Sequence, residues 1–107
     1  MTDADPRQVK AFEVLLWGPL VAICSRLGLD PKRAMAEAAE ASNFGKYAIG
    51  NNYWNLQGRG SNGMHKLITV DRVASNEGGG YVPNIETFAV FKSLDDAIVA
   101  YCQSRST

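Results

Sequence analysis

The chain has 107 residues, 46% of them hydrophobic and 21% charged, which suits one self-folding domain and excludes a disordered polar chain. Its 11 Lys and Arg balance 11 Asp and Glu with no basic block, so the electrostatic footprint of a nucleic-acid binder is missing and a neutral ligand fits better. Residues 1–6 lack the n- and h-regions of a signal peptide, and the apolar stretch 14–24, interrupted by Gly18-Pro19, falls short of the roughly 20 residues that span a bilayer.

From Pro6 to Leu27 the residues Val9, Phe12, Leu15, Leu16, Leu20, Ile23 and Leu27 recur at three- and four-residue spacing, which predicts an amphipathic helix. Pro19 lacks a backbone donor, so a kink or a break near Trp17 is expected, and Gly28 ends the helix. Asp30-Pro31 starts a second helix that runs to about Phe44 and stops at Gly45. Its alanine-rich run suits a central helix approached closely by its neighbours. Cys24 and Cys102 form neither a CxxC nor a zinc pattern and read as small buried hydrophobes.

Between Lys46 and Met64, glycines and asparagines alternate with Tyr47, Tyr53 and Trp54, giving a loop lined by aromatics. Residues 66–73 alternate in period two, as a strand with one buried face does. Residues 75–80 supply a turn, 81–86 an approach and 87–91 a returning strand, closing a small antiparallel hairpin. Ser93 caps a last helix with Asp95 and Asp96 in its first turn and an apolar stripe of Leu94, Ala97, Ile98 and Tyr101. The fold class is therefore α+β, mainly α.

Glycoside hydrolysis needs a carboxylic acid to protonate the leaving oxygen and usually a second carboxylate. Glu37 and Glu40 on the second helix and Asp71 on the first hairpin strand are the candidates, although helix carboxylates are commonly solvated surface groups. Asn51, Asn52 and Gln57 offer paired donors and acceptors, while Tyr53 and Trp54 offer flat apolar faces, the two kinds of contact a sugar needs. Trp54 is equally suited to the core, and Asn51 and Asn52 to shaping a turn. No metal or cofactor is expected, since His65 is the single histidine and has no ligand at metal spacing.

Ala36-Glu-Ala-Ala-Glu-Ala-Ser-Asn-Phe-Gly45 followed by Asn51-Asn-Tyr-Trp-Asn-Leu-Gln-Gly58 resembles the motif pair of glucosaminidase-type peptidoglycan hydrolases, glycoside hydrolase family 73. Phe12, Trp17 and Pro19 through Leu27-Gly28 resemble the leading helix of its flagellar members, and residues 88–101 their final strand and helix, so the likeness runs from Phe12 to Tyr101. The resemblance implies a lysozyme-like fold over residues 1–107, with 34–45 as active-site helix. It also implies cleavage of the β-1,4 linkage after N-acetylglucosamine in peptidoglycan or a chitooligosaccharide. The implied setting is the periplasm, the outside of the cell or a phage particle, with the chain a monomer or part of a larger protein.

Carried over residue by residue, the family acid falls on Ala41, which has no proton to give. Glu40 precedes it but points about 100° away around a regular helix. Thr69-Val-Asp71 matches the family's Thr-x-Glu and makes Asp71 the second carboxylate; Tyr101 matches an active-site tyrosine. Glu37 shares a helix face with Ala41 and is expected to be structural and hydrogen-bonded. Three readings stay open. One is a hydrolase whose acid is replaced at Ala41 or supplied by Glu40, another a glycan-binding module without turnover, and the third a scaffold domain of a larger assembly.

Overall fold

In the computed structural model residues 5–73 and 80–105 are described, with side chains for 5–68 and 84–105. Five elements follow in order: α1 (Pro6–Leu27), α2 (Pro31–Ser42), β1 (Met64–Val73), β2 (Gly80–Ala89) and α3 (Leu94–Arg105). The expected turn at 75–80 lies outside the described residues except for Gly80, which opens β2.

Capping residues set the helix ends. Asp5 and Asp30 each accept a backbone N–H at 2.9 Å, from Arg7 and Lys32, with a proline opening the helix behind them. Gly28 closes α1 in the left-handed region at φ 76°. The expected break near Trp17 is absent: α1 is one helix of 22 residues with Pro19 inside it. Leu16, Leu20, Ile23 and Cys24 are buried on both sides of the proline, and that packing holds the two halves together. The carbonyl freed by Pro19 belongs to Leu15, an exposed residue, so water can take the place of the missing donor.

α1 corrects the sequence reading in two further ways. Leu15 and Leu27 are exposed rather than part of the inward stripe. By length and composition α1 is also apolar enough to cross a membrane, which the count over 14–24 had missed. In this fold its inner face packs against α2 and α3, while Val14, Leu15, Trp17 and Val21 face outward.

α2 ends two residues earlier than expected. Asn43, not Gly45, is the left-handed cap, followed by Phe44 and Gly45 at positive φ. Ser42 makes this ending possible: its buried hydroxyl donates to the Ala38 carbonyl at 2.6 Å and accepts the Gly45 N–H at 2.8 Å. Positive φ is costly for a phenylalanine. The Phe44 ring meets Phe12 edge-on at 5.7 Å, a contact that favours the conformation.

The hairpin is longer than the alternation suggested. β1 starts at Met64 and β2 spans Gly80–Ala89, paired antiparallel from Met64 opposite Ala89 to Val73 opposite Gly80. Pro83 is tolerated because each strand of a two-stranded sheet has an open edge. Val90 and Phe91 leave the strand but stay tied, their N–H groups donating to Gly63 and Gly50.

The loop between α2 and β1 folds back onto this strand end. Ala89 N–H donates to the Leu56 carbonyl at 2.8 Å, and Gly58 N–H to that of Thr87 at 3.2 Å. A side chain at Gly60 would collide with the Val90 carbonyl. Gly60→Ala is therefore expected to cost roughly 1–3 kcal/mol, read as a lower melting midpoint, whereas the same change at Gly58, where a Cβ meets nothing, carries only the cost of its positive φ.

One core lies where the three helices meet the loop: Leu16, Leu20 and Cys24 from α1, Ala34 and Ala38 from α2, Trp54 from the loop, and Ile98, Tyr101 and Cys102 from α3. The small Ala34 and Ala38 let Trp54 lie against α2.

Candidate glycan cleft

A groove crosses the outer end of α2 with Ala41 at its centre. On one side a depression of about 490 Å3 is lined by Glu37, Glu40, Ala41, Trp54, Asn55 and Arg105. On the other a smaller one of about 200 Å3 runs to the hairpin between Ala41, Asn52 and Asn55 and the side chains of Tyr47, Ile49, His65, Leu67 and Phe88. Asn55 fastens the two halves, its side-chain amide donating to the Ala41 carbonyl at 2.9 Å from a left-handed backbone.

Glu37 lies one turn before Ala41 and is the most heavily engaged carboxylate among the described residues. It accepts from the Tyr101 hydroxyl, from Arg105 Nη2 at 2.9 Å and from Arg33 Nε at 3.2 Å, with a quarter of its side chain exposed. Burial pushes its pKa up, but the hydrogen bonds from Tyr101, Arg105 and Arg33 outweigh burial and hold it below the usual carboxylate range. Burial, then the hydrogen bond to Glu37, pushes the Tyr101 hydroxyl up to about 12. The pair is thus a carboxylate acceptor and a protonated phenol donor, and Glu37 carries no proton to lend at neutral pH.

Because its folded pKa is depressed, Glu37 contributes stability above the unfolded carboxyl value of about 4.3, and that stability is lost as pH falls through the lower folded value. Melting curves between about pH 6 and pH 3 should therefore fall more steeply for the native chain than for Glu37→Gln. Equal slopes would show that the network stores no linkage.

Glu40 and Ala41 both line the larger depression, but Glu40 also borders a separate hollow between α1 and α2 with Phe12, Glu13 and Met35. It stands on the ridge between the two. Asp71 lies on β1 opposite Val82, and its side chain is outside the described residues. Tyr101 is buried beneath the groove, stacked on Trp54 with centroids 4.8 Å apart and planes at 25°.

The loop residues divide into groups. Trp54 is only 8% exposed and donates its indole N–H to the Ala34 carbonyl at 3.0 Å, so its bulk belongs to the core while an edge reaches the groove. Asn52 is buried and spends its amide on the chain, donating to Leu56 and Ala89 carbonyls at 2.9 and 3.0 Å and accepting the Leu56 N–H at 2.9 Å. Asn51 donates to the Phe91 carbonyl at 3.0 Å. Tyr53 packs toward Phe12 in a different hollow, with Gln8 and Phe44, and Gln57 is exposed where the loop pairs with Phe88.

Arg105 and Asn55 were not among the expected site residues, and Tyr47 was expected only as an aromatic of the loop. Arg105 stands four residues after Tyr101 and Arg33 four before Glu37, spacings that put each pair on one helix face. Nothing local announced that the two helices would meet at Glu37. Among the described residues no three metal-ligating side chains come together.

Solved structures with a similar fold include an autolysin catalytic domain, a glycoside hydrolase domain and a peptidoglycan hydrolase. The catalytic domain of the autolysin Auto from Listeria monocytogenes matches with a TM-score of 0.75 at 19% identity, over 96% of this chain and 59% of that one. The fold is that of these hydrolase domains. A C-terminally truncated glycoside hydrolase domain of Salmonella typhimurium FlgJ follows at 0.73 and 20% identity, over 90% of this chain and 67% of that one. A peptidoglycan hydrolase mutant from Sphingomonas sp. A1 matches at 0.62 and 23% identity, over 91% and 66%. The chain thus spans about three-fifths to two-thirds of the length of these domains. No protein-family model matches the sequence, and no curated protein matches it either.

Proposed function

We propose that this chain is a peptidoglycan hydrolase-type domain whose groove takes the β-1,4 glycan of the cell wall and, with Ala41 at the acid position, grips the strand rather than cutting it. The observation that carries this reading is the Ala41 methyl at the centre of the groove, in a fold shared with cell-wall hydrolases. The sugar faces would lie on Tyr47, Ile49 and Leu67, and the amide of Asn55 and the Arg105–Glu37 pair would border their hydroxyl and acetamido groups. Protonation of the leaving oxygen has no donor at Ala41, and Glu37 is ionised and engaged by three hydrogen-bond donors. A cell-wall ligand implies a place outside the cytoplasm or in a phage particle.

Titration with chitooligosaccharide, followed by tryptophan fluorescence or calorimetry, tests this reading. Saturable binding is expected, weakened about tenfold by Tyr47→Ala, since Tyr47 is 63% exposed on the groove and carries no core packing to lose. A flat titration would remove the reading.

A second reading is favoured by Glu40, which borders the same depression as Ala41. In it Glu40 is the acid and Asp71 the second carboxylate, so the chain as it stands releases fragments from peptidoglycan and Glu40→Gln stops this without unfolding it.

A further inference from the structure

Cys24 of α1 and Cys102 of α3 stand 78 positions apart in sequence, yet their sulfurs face each other at 3.7 Å in the core. Both are free thiols, 0% and 1% exposed. Neither belongs to the groove, and two isolated cysteines carried no such message in the sequence. The geometry points to a disulfide site: in an oxidising compartment Cys24 and Cys102 join and lock α3 to the last turn of α1.

Three features support the joining. The sulfurs already face each other and need to close by only roughly 1.7 Å to reach a bond of about 2.05 Å. The ring closed would span most of the chain, the case in which a cross-link restricts the unfolded state most. The two cysteines lie on helices that pack directly on each other, so the bond would staple an existing contact between α1 and α3.

The chemistry is thiol–disulfide exchange with a small disulfide such as oxidised glutathione. One cysteine thiolate attacks a glutathione sulfur and forms a mixed disulfide, expelling one glutathione thiolate, which takes up a proton. The second cysteine loses its proton and attacks the protein-side sulfur, expelling the other. Two protein thiols are oxidised by two electrons, and one oxidised glutathione becomes two reduced ones. Burial and the Cys102 hydrogen bond push the Cys24 thiol up to about 12, so exchange is slow in the closed fold and proceeds during folding or when α3 opens. This inference does not depend on the glycan reading.

The test is to refold the full chain in glutathione redox buffer or in dithiothreitol, alkylate under denaturing conditions, map the peptides by mass spectrometry and melt both forms. The redox-buffer sample is expected to lose both alkylatable thiols, to yield one peptide pair joining Cys24 to Cys102, and to melt about 10 °C or more above the reduced form. Cys102→Ala should show no difference between the two buffers. Full alkylation of both thiols after oxidative refolding would overturn the proposal. So would cross-linking between chains instead of within one, or an oxidised form that melts no higher than the reduced one.

Discussion

Ala41→Glu is expected to raise release of glycan fragments from purified peptidoglycan at least about a hundredfold over the native chain, the lower part of the range a positioned general acid supplies. The groove around residue 41 suits a proton donor. The position is half-buried, so desolvation would raise the introduced carboxyl, against the opposing pull of the Arg105 guanidinium that lines the same depression. Asn55 holds the backbone of that turn at 2.9 Å, so the new side chain would enter an already fixed site. Mass analysis of the released fragments measures the effect. An Ala41→Glu chain that folds, binds glycan and still releases nothing would mean that the second carboxylate or the leaving-group geometry is also missing.

Trp54→Ala is expected to cost about 3–5 kcal/mol, a large share of the 5–15 kcal/mol that stabilises a domain. The substitution deletes the stacking surface of Tyr101 and leaves the Ala34 carbonyl without its indole donor. Tyr101 is the donor that helps hold Glu37 below its ordinary range, so the loss should also flatten the acid limb of the stability curve. A melting midpoint lower by roughly 12 °C or more in thermal denaturation would be the reading. A midpoint within a few degrees of the native one, combined with weaker glycan binding, would instead make Trp54 a ligand platform. These two outcomes separate core from cleft at a residue to which the sequence assigned both roles.

The fold was legible in the sequence wherever a local signal has a local cause. Asp30-Pro31 and Gly28 marked helix ends correctly because capping is decided within three or four residues. Local signals misled where packing overrode them. Pro19 reads as a kink or a break, and α1 continues through it as one helix because buried leucines flank it. Gly45 reads as the stop of α2, yet Ser42 and Asn43 end it earlier by offering the backbone an alternative set of hydrogen bonds.

The site was legible in part. The motif on α2 and the loop after it fall on residues that line the groove, and the proposal that the acid is absent at Ala41 starts from the sequence. The amides of Asn51 and Asn52 suggested sugar contacts, but the structure commits them to Phe91, Leu56 and Ala89, partners up to 40 residues away. The Glu37–Tyr101 bond joins residues 64 apart, and the Cys24–Cys102 contact residues 78 apart. Periodicity within one element cannot show where two elements cross.

The central claim is that the chain holds cell-wall glycan without cutting it. Cosedimentation of the native chain with purified, insoluble peptidoglycan, with mass analysis of the supernatant, tests it most directly. The account predicts that the chain pellets saturably and that the supernatant contains no released fragments; a chain left in solution, or fragments released by the native sequence, would contradict it.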